Sequence, residues 1–453
     1  MPASSNYEPA LRHRARALDV WLIVTATWYL TGLLAGGGFC FGFYLVRPAP
    51  GIIPEHREFL DAVNWMDGKW YKQIATEGYD YDPKARSNVA FFPVYPLLSR
   101  AVMAVTGLPA ETALLIVSNV SFLAALGVLA LYVRGRAPAA GAAGSVASVR
   151  DACHREAATD QSILRGATCG PADCVLLAAT IFPIGCFFRL AYSESTFLFL
   201  SVLAMFAMQR HWSPWFIALL VGLGTATRPV GVALVAPFAI YLFRTACISS
   251  FVYLPFACWG LLTFMAYQRY AFGDALAVFK AHSRWHIRAD VPFAEKAAAL
   301  ATLEPIRSVY DSGSPAFWAS FDAHGIPWFS LQFANPLFFL GSVGLIAIGA
   351  WPRRSPSLCG KPDEERPVSR ASWLSLEEIS FSALVLLIPY CTRGYEMGMG
   401  SMGRFTAVAF PIYLVMGALL RRLPPSLLAG IAALSGFLLA AYTALYAARY
   451  VVF

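Results

Sequence analysis

The sequence predicts an all-α protein that crosses a membrane many times. Hydrophobic residues make up 58% of the 453 positions, charged residues only 14%, and the mean hydropathy is +0.55. This is more apolar surface than one water-soluble core can bury. Several apolar runs also reach the roughly 20 residues that a helix needs to cross the bilayer core. The whole chain, residues 1–453, is therefore expected to form a single polytopic transmembrane domain.

Basic residues indicate on which side of the membrane each loop lies. The 35 Lys and Arg residues exceed the 27 Asp and Glu residues, but they stand at the ends of apolar runs rather than in one stripe. A nucleic-acid partner is therefore not expected, and the charge predicts topology instead. Arg12, Arg14 and Arg16 precede the first apolar run, 20–46, which predicts a cytoplasmic amino terminus.

Applying the same rule along the chain predicts about eleven crossings, with the carboxyl terminus outside. The predicted spans are 20–46, 112–133, 173–191, 195–209, 214–227, 229–243, 247–267, 327–351, 376–390, 405–420 and 426–448. Residues 47–107 form the first extracytoplasmic loop, with juxtamembrane helices and an amphipathic segment at 63–74. Residues 135–171, rich in Ala, Gly and Ser, are predicted to be a flexible cytoplasmic linker. Residues 272–327 form a long extracytoplasmic loop.

Cysteine labelling from the outer face tests this orientation. A thiol placed at Ser312 is expected to react in intact cells, because residues 272–327 are predicted to lie outside. A thiol placed at Ser145, in the predicted cytoplasmic linker, is expected to stay unlabelled until the membrane is permeabilised. Labelling at Ser145 with none at Ser312 would reverse the orientation and move the candidate site to the other side.

The candidate functional residues are charged groups at the predicted outer ends of spans. Asp67 follows the first apolar run, Glu194 opens the span at 195–209, and Arg228, Arg393 and Arg404 stand at other outer ends. Each also has a simpler explanation: Asp67 pairs with a nearby lysine or caps a helix, Glu194 complements a helix dipole, and the arginines extend to the headgroups. The residue pattern alone leaves these alternatives open.

A basic and aromatic cluster lies in the long outer loop. Lys280, His282, Arg284, Trp285 and His286 together are suited to binding a phosphate, stacking on a sugar or anchoring the loop at the interface. The two histidines are four residues apart, a spacing compatible with a metal on a helix, and a few cysteines lie near the linker. The cysteines match no standard zinc site, and neither a metal nor another cofactor is expected.

Six short blocks give the chain a resemblance to a known family. The blocks are W-x-D-G-x-W-Y (65–71), I-A-x-x-G-Y (74–79), F-F-P-x-Y-P (91–96), A-Y-S-E-S (191–195), T-R-P-x-G (227–231) and G-R-F-x-x-x-x-F-P (403–411). Their order resembles the glycosylphosphatidylinositol mannosyltransferase II family and its bacterial relatives. These are GT-C glycosyltransferases, membrane enzymes with lipid-phosphate sugar donors. The similarity spans roughly residues 20–418, and the linker at 135–171 is longer than the family pattern.

The resemblance implies an inverting hexose transfer, with mannose the expected sugar. The donor would be a polyprenyl- or dolichyl-phosphate sugar, and the acceptor a glycan, lipid or protein on the extracytoplasmic side. One carboxylate suffices as base, because a phosphate leaves without protonation. Asp67 occupies the matching position, with Glu194 as a second carboxylate. The predicted phosphate ligands are Arg404, which lies in the matching G-R-F block, and also Arg393, Arg228, Lys280, His282 and Arg284. The predicted groove aromatics are Trp65, Trp70, Tyr71, Phe92, Tyr95, Tyr192 and Trp285.

Two alternatives come from other functional classes. A transporter or flippase of glycolipids would be as apolar, but transporters place ionisable residues near the bilayer midplane and show internal repeats. No repeat is obvious in this chain, and its polar residues gather at the outer ends. A non-catalytic subunit of a glycosyltransferase complex would retain the fold without the activity.

Overall fold

The chain folds almost entirely into helices. The computed structural model describes residues 7–49, 58–136, 170–245, 248–286, 288–314, 330–354 and 370–450. The α-helices are α1 (Tyr7–Tyr44), α2 (Phe59–Val63), α3 (Asp67–Thr76), α4 (Val94–Thr106), α5 (Ala110–Gly135), α6 (Pro171–Thr180), α7 (Glu194–Gln209), α8 (Pro214–Thr225), α9 (Val235–Thr245), α10 (Tyr253–Phe256), α11 (Trp259–Phe272), α12 (Ala277–Ser283), α13 (Phe293–Ala301), α14 (Glu304–Tyr310), α15 (Leu331–Ala350), α16 (Leu376–Pro389), α17 (Met402–Val408), α18 (Pro411–Leu420) and α19 (Pro425–Ala447).

The predicted all-α class is confirmed. In the described ranges the only extended pairing is between two-residue strands, β1 (Arg353–Arg354) and β2 (Arg370–Ala371), which run antiparallel. Most of the predicted linker at 135–171 and the end of the predicted outer loop at 272–327 lie outside the described residues.

Five segments of the described structure are long and apolar enough to cross a membrane. They are Asp19–Tyr44, Ala110–Gly135, Ser250–Phe272, Leu331–Ala350 and Pro425–Ala447. The pair α17 and α18 makes a sixth if it is counted as one span, although its two halves are bent by 75°. Pro411 begins the second half, and a proline has no amide hydrogen with which to continue the preceding helix. The protein is thus a helical membrane protein.

The predicted crossing at 173–191 is wrong as a continuous helix. α6 ends at Thr180, and a 3₁₀ turn, Pro183–Phe188, follows it. Pro183 cannot donate to the carbonyl four residues earlier, so the helix stops before it. The turn carries the chain back into the core, because its residues from Pro183 to Phe188 are all buried.

The predicted amphipathic segment at 63–74 is two helices rather than one. α2 ends at Val63, and α3 begins at Asp67 after Met66, whose backbone has a φ of 58° and a ψ of −116°. α3 buries Tyr71, Ile74 and Ala75, as the helical spacing of the apolar residues requires. This break places Asp67 in the first turn of a helix.

Helix α1 packs closely against α19. Gly38 and Gly42 are four residues apart and face α19; a Cβ on Gly38 would lie 2.2 Å from the carbonyl oxygen of Ala440. Such small-residue spacing lets membrane helices approach at backbone distance. α19 in turn holds Tyr446, whose hydroxyl donates to the carbonyl oxygen of Trp65 at 2.7 Å. The packing therefore supports the segment that leads into Asp67.

Candidate active site

An open cleft brings together most of the predicted charged residues. Its lining residues are Asp67, Tyr71, Ala90, Phe91, Phe92, Thr227, Arg228, Pro229, Val230, His282, Trp285, Ile388, Pro389, Thr392, Arg393, Ser401, Arg404 and Phe405. They come from α3, α12, α16 and α17, from the turns before α4, α9 and α17, and from the turn after α12. Segments more than 300 residues apart in the chain thus meet in one cleft.

Arg404 is the centre of a buried ion network. Its Nη1 donates to Asp67 Oδ2 at 2.7 Å and its Nε donates to Glu194 Oε1 at 2.5 Å. Arg228 Nη1 also forms an ion pair with Glu194 Oε1, at 2.7 Å. The side chains of Arg404 and Glu194 are 5% and 0% exposed, so little water screens these pairs. The network holds both predicted carboxylates in one arrangement.

The network decides between the alternatives that the residue pattern left open. Arg404 does not extend to the headgroups; its guanidinium lies buried over the rings of Tyr192, at 4.6 Å, and Phe187, at 5.1 Å. Asp67 pairs with Arg404 rather than with a neighbouring lysine. Glu194 does stand in the first turn of α7, as the dipole explanation requires, and it also pairs with two arginines.

The electrostatics of Asp67 keep it ionised at neutral pH. Burial raises the pKa of its carboxyl, but the Arg404 and Arg393 guanidiniums more than offset this and hold the pKa below its usual range. The stabilising effect of the pair is therefore present at neutral pH and is lost only as the pH falls through that lowered pKa. In the described structure Oδ1 has no hydrogen-bond partner, and Asp67 is 17% exposed. One oxygen is thus free to meet a ligand.

Strained backbone precedes both members of the central ion pair. Met66 has a positive φ of 58° immediately before Asp67. Met399 and Ser401, with φ of 67° and 64°, lie just before Arg404. Residues other than glycine rarely adopt this region, and such conformations concentrate at functional sites. The backbone is therefore strained at the two points that orient these side chains.

Two glycines of the sequence blocks are required by close packing. A Cβ on Gly403 would lie 2.5 Å from Ile184 Cδ1 and 2.6 Å from Asn335 Oδ1, and a Cβ on Gly231 would lie 2.0 Å from the carbonyl oxygen of Gly224. Gly403 also donates its amide to Asn335 Oδ1 at 2.9 Å. The glycines of G-R-F and T-R-P-x-G thus set the positions of the arginines beside them.

The predicted aromatic residues divide between the cleft and its support. Tyr71, Phe92 and Trp285 line the cleft. The others pack behind it: Trp70 stacks on Phe91 at 6.0 Å, Tyr95 packs under Tyr71 at 4.8 Å, Trp65 packs on Tyr446 at 5.6 Å, and Tyr192 lies under Arg404. Tyr71 is fixed by its hydroxyl, 2.8 Å from Ser193 Oγ. Trp285 is covered from outside by Arg86, 4.5 Å from its ring.

The outer-loop cations are not brought together with Arg404. Lys280 is 59% exposed and pairs with Asp274 at 2.6 Å, and Arg284 donates to the carbonyl oxygen of Pro83 at 2.7 Å. Neither lines the cleft. Of the predicted outer-loop phosphate ligands, only His282 does so. Arg228 and Arg393, the other arginines expected from the sequence, both line it.

A second buried charge cluster was not predicted from the sequence. Lys296 of α13 pairs with Glu396, which is fully buried, and donates to the carbonyl oxygen of Cys391 at 2.8 Å. The backbone amide of Arg288 donates to the carbonyl oxygen of Glu396 at 2.8 Å. These contacts fasten the segment 288–296 to the π-helical turn Tyr390–Gly394, which presents Arg393 to the cleft. The sequence signal for this cluster was Glu396, a lone glutamate in an otherwise apolar stretch.

Removing the lysine of this cluster is expected to destabilise the protein. Lys296→Met leaves the buried Glu396 carboxylate without its cation, which costs about 3–5 kcal/mol for a buried pair. Denaturant unfolding in detergent measures this change. Asp290→Asn is the matched control, because Asp290 also contacts Lys296 but is 73% exposed, so little change is expected. A Lys296→Met variant as stable as Asp290→Asn would contradict the assignment.

Comparisons with known proteins identify no relative: no protein family, curated protein or solved structure matches this chain. In the part of the chain that the structure describes, no group of three or more His, Cys, Asp or Glu residues is placed to hold a metal ion. The chemistry of the cleft therefore has to be inferred from its own residues. Three guanidiniums against two carboxylates give it a net positive charge, which favours an anionic ligand.

Proposed function

We propose that the protein is an inverting membrane glycosyltransferase. It transfers a hexose from a polyprenyl-phosphate donor to a hydroxyl of an extracytoplasmic glycan, lipid or protein. The observation that carries the proposal is the contact of Arg404 with both Asp67 and Glu194, in a cleft that also contains Arg228 and Arg393. A free carboxylate oxygen beside several fixed cations meets the two needs of this reaction, a proton acceptor and a binding site for a leaving phosphate.

The reaction follows from these groups. The acceptor hydroxyl gives its proton to Asp67 while its oxygen forms a bond to C1 of the sugar. The bond between C1 and the phosphate oxygen breaks on the opposite face, and the electron pair leaves with the phosphate. Arg404, Arg393 and Arg228 stabilise the charge that accumulates on that phosphate. The products are the glycosylated acceptor and polyprenyl phosphate, and no second acid is needed.

Donor binding improves Asp67 as a base. Arg404 holds the carboxylate and lowers its pKa, so a carboxylate in this pair is a weak proton acceptor. A phosphate that draws Arg404 toward itself weakens this attraction, and the pKa of Asp67 then rises. The base becomes effective when the donor is in place. Arg404 also pairs with Glu194, and this second contact limits how far Arg404 moves.

The proposed enzyme has a GT-C fold with about eleven crossings, and its cleft lies on the extracytoplasmic side. The apolar helices of 10–17 residues, such as Glu194–Gln209 and Pro214–Thr225, supply the crossings beyond the five long spans. Mannose is the proposed sugar. The sidedness is proposed from the charge topology, and the GT-C fold and the sugar are proposed from the resemblance of the sequence blocks.

Purified protein and a labelled polyprenyl-phosphate sugar test the proposal. The expected result is transfer of label to an added acceptor, with release of polyprenyl phosphate. Movement of intact donor across a vesicle membrane without turnover would instead identify a flippase. If donors with several different sugars give no turnover and no movement, the non-catalytic subunit is the remaining explanation.

A further inference from the structure

His282 differs in its hydrogen bonding from the arginines and the lysine predicted as phosphate ligands. It lies on α12 and lines the cleft, and its Nδ1 is 2.8 Å from the carbonyl oxygen of Val278, one turn earlier. A carbonyl oxygen can only accept a hydrogen bond, so Nδ1 must carry the proton. In a neutral imidazole the other ring nitrogen, Nε2, then has a lone pair and can only accept.

The surroundings keep this imidazole neutral. The pKa of His282 is lowered to about 4, chiefly by burial, with the hydrogen bond to Val278 opposing; Arg393 and His286 also lower the pKa and Asp67 raises it. At neutral pH the ring is therefore uncharged. A neutral ring whose one N–H is already used cannot donate to a phosphate, so the geometry favours a role other than the phosphate ligand predicted from the sequence.

The rest of the charged lining offers a ligand mainly donors. The guanidiniums of Arg228, Arg393 and Arg404 have no acceptor atoms, so they suit phosphate oxygens. A hydroxyl that donates needs a different partner. His282 provides one, and Trp285, three residues further along, lines the same cleft with an aromatic ring suited to a sugar face.

We propose that Nε2 of His282 accepts a hydrogen bond from a substrate hydroxyl and so makes the cleft selective for a sugar over a bare phosphate. The inference rests on the proposed function, since it assigns a role within the same cleft. The hydroxyl can belong to the sugar of the donor or to the acceptor. Both sources present the same chemistry, and separate arms of the experiment distinguish them.

A pair of substitutions isolates the accepting nitrogen. His282→Asn keeps an amide donor near the carbonyl of Val278 but has no atom at the position of Nε2, whereas His282→Gln reaches that position with an amide oxygen. A lost hydrogen bond in a binding site costs about 1–2 kcal/mol, which is roughly a tenfold loss in kcat/KM. We expect that loss for His282→Asn, substantial recovery for His282→Gln, and unchanged unfolding for both.

Substrate analogues identify the hydroxyl. Donor sugars and acceptors that each lack one hydroxyl are assayed with the wild type and with His282→Asn. The analogue that lacks the recognised hydroxyl is expected to lose activity with the wild type and to lose none further with His282→Asn, because the shared contact is already absent. A donor analogue with this behaviour places the contact on the transferred sugar, and an acceptor analogue places it on the acceptor.

A binding measurement separates this inference from the proposed activity. The chain has seven histidines, so ¹⁵N-histidine spectra of the wild type and His282→Asn identify the Nε2 signal by difference. We expect an unprotonated Nε2 at pH 7 that shifts with a polyprenyl-phosphate hexose or a hydroxylated acceptor, but not with polyprenyl phosphate alone. A shift of the Nε2 signal in a protein that shows no sugar transfer would contradict the proposed transferase activity but not the role of His282 in binding. A protonated Nε2, or a His282→Asn variant as active as wild type on every substrate, would overturn the role of His282.

Discussion

Replacing Arg404 with alanine is expected to lower kcat/KM for sugar transfer by on the order of 10³-fold. Removing one fixed donor that stabilises developing charge typically costs about 10²–10³-fold, and Arg404 also orients Asp67. The same change leaves Asp67 without its guanidinium partner and Glu194 with Arg228 alone. Breaking a buried pair in this way costs about 3–5 kcal/mol, so the alanine variant is also expected to be less stable.

Arg404→Lys separates the catalytic effect from the structural one. Lysine retains the charge but cannot place two separate nitrogens on Asp67 and Glu194, as Nη1 and Nε of Arg404 do. We expect this variant to fold better than the alanine variant and still to be strongly impaired in transfer. Arg421→Ala is the control for loss of an arginine, because Arg421 is exposed and does not line the cleft. Wild-type activity in Arg404→Ala would show that the network is only structural.

Asp67→Asn is expected to reduce the rate of transfer by about 10²–10⁴-fold, the usual contribution of a general base. Asparagine keeps the size of the side chain, and its oxygen can still accept from Arg404, so folding and donor binding are expected to persist. Three aspartates of the same loop serve as controls because they lie outside the cleft: Asp61, Asp80 and Asp82. Their asparagine variants are expected to retain most of the activity.

The members of the site were predictable singly, but their pairing was not. A charged residue in an apolar chain is costly to bury unless it is paired, so Asp67, Glu194 and Arg404 were candidates from their positions at the ends of apolar runs. Which residue pairs with which depends on three-dimensional packing. Arg404 meets Asp67 across 337 positions of sequence, and no local pattern encodes that contact.

Local structure followed the sequence where one physical signal dominated. The long apolar runs correspond to long helices, and Pro183 ended a predicted span that was too long. The break at Met66 was not predictable, because a methionine there gives no sign of a positive φ; only tertiary packing imposes it. The tautomer of His282 was not predictable for a similar reason, since it depends on one carbonyl, that of Val278.

Single-turnover transfer by wild-type protein and Asp67→Asn, with donor binding measured in parallel, tests the central claim most directly. The account predicts that both proteins bind a labelled polyprenyl-phosphate hexose comparably and that the variant transfers the sugar at least about 10²-fold more slowly. Transfer by Asp67→Asn within about threefold of wild type would contradict it, because removing a general base costs more than this. Asp67 would then be an orienting partner of Arg404, and the proton acceptor would have to be another group.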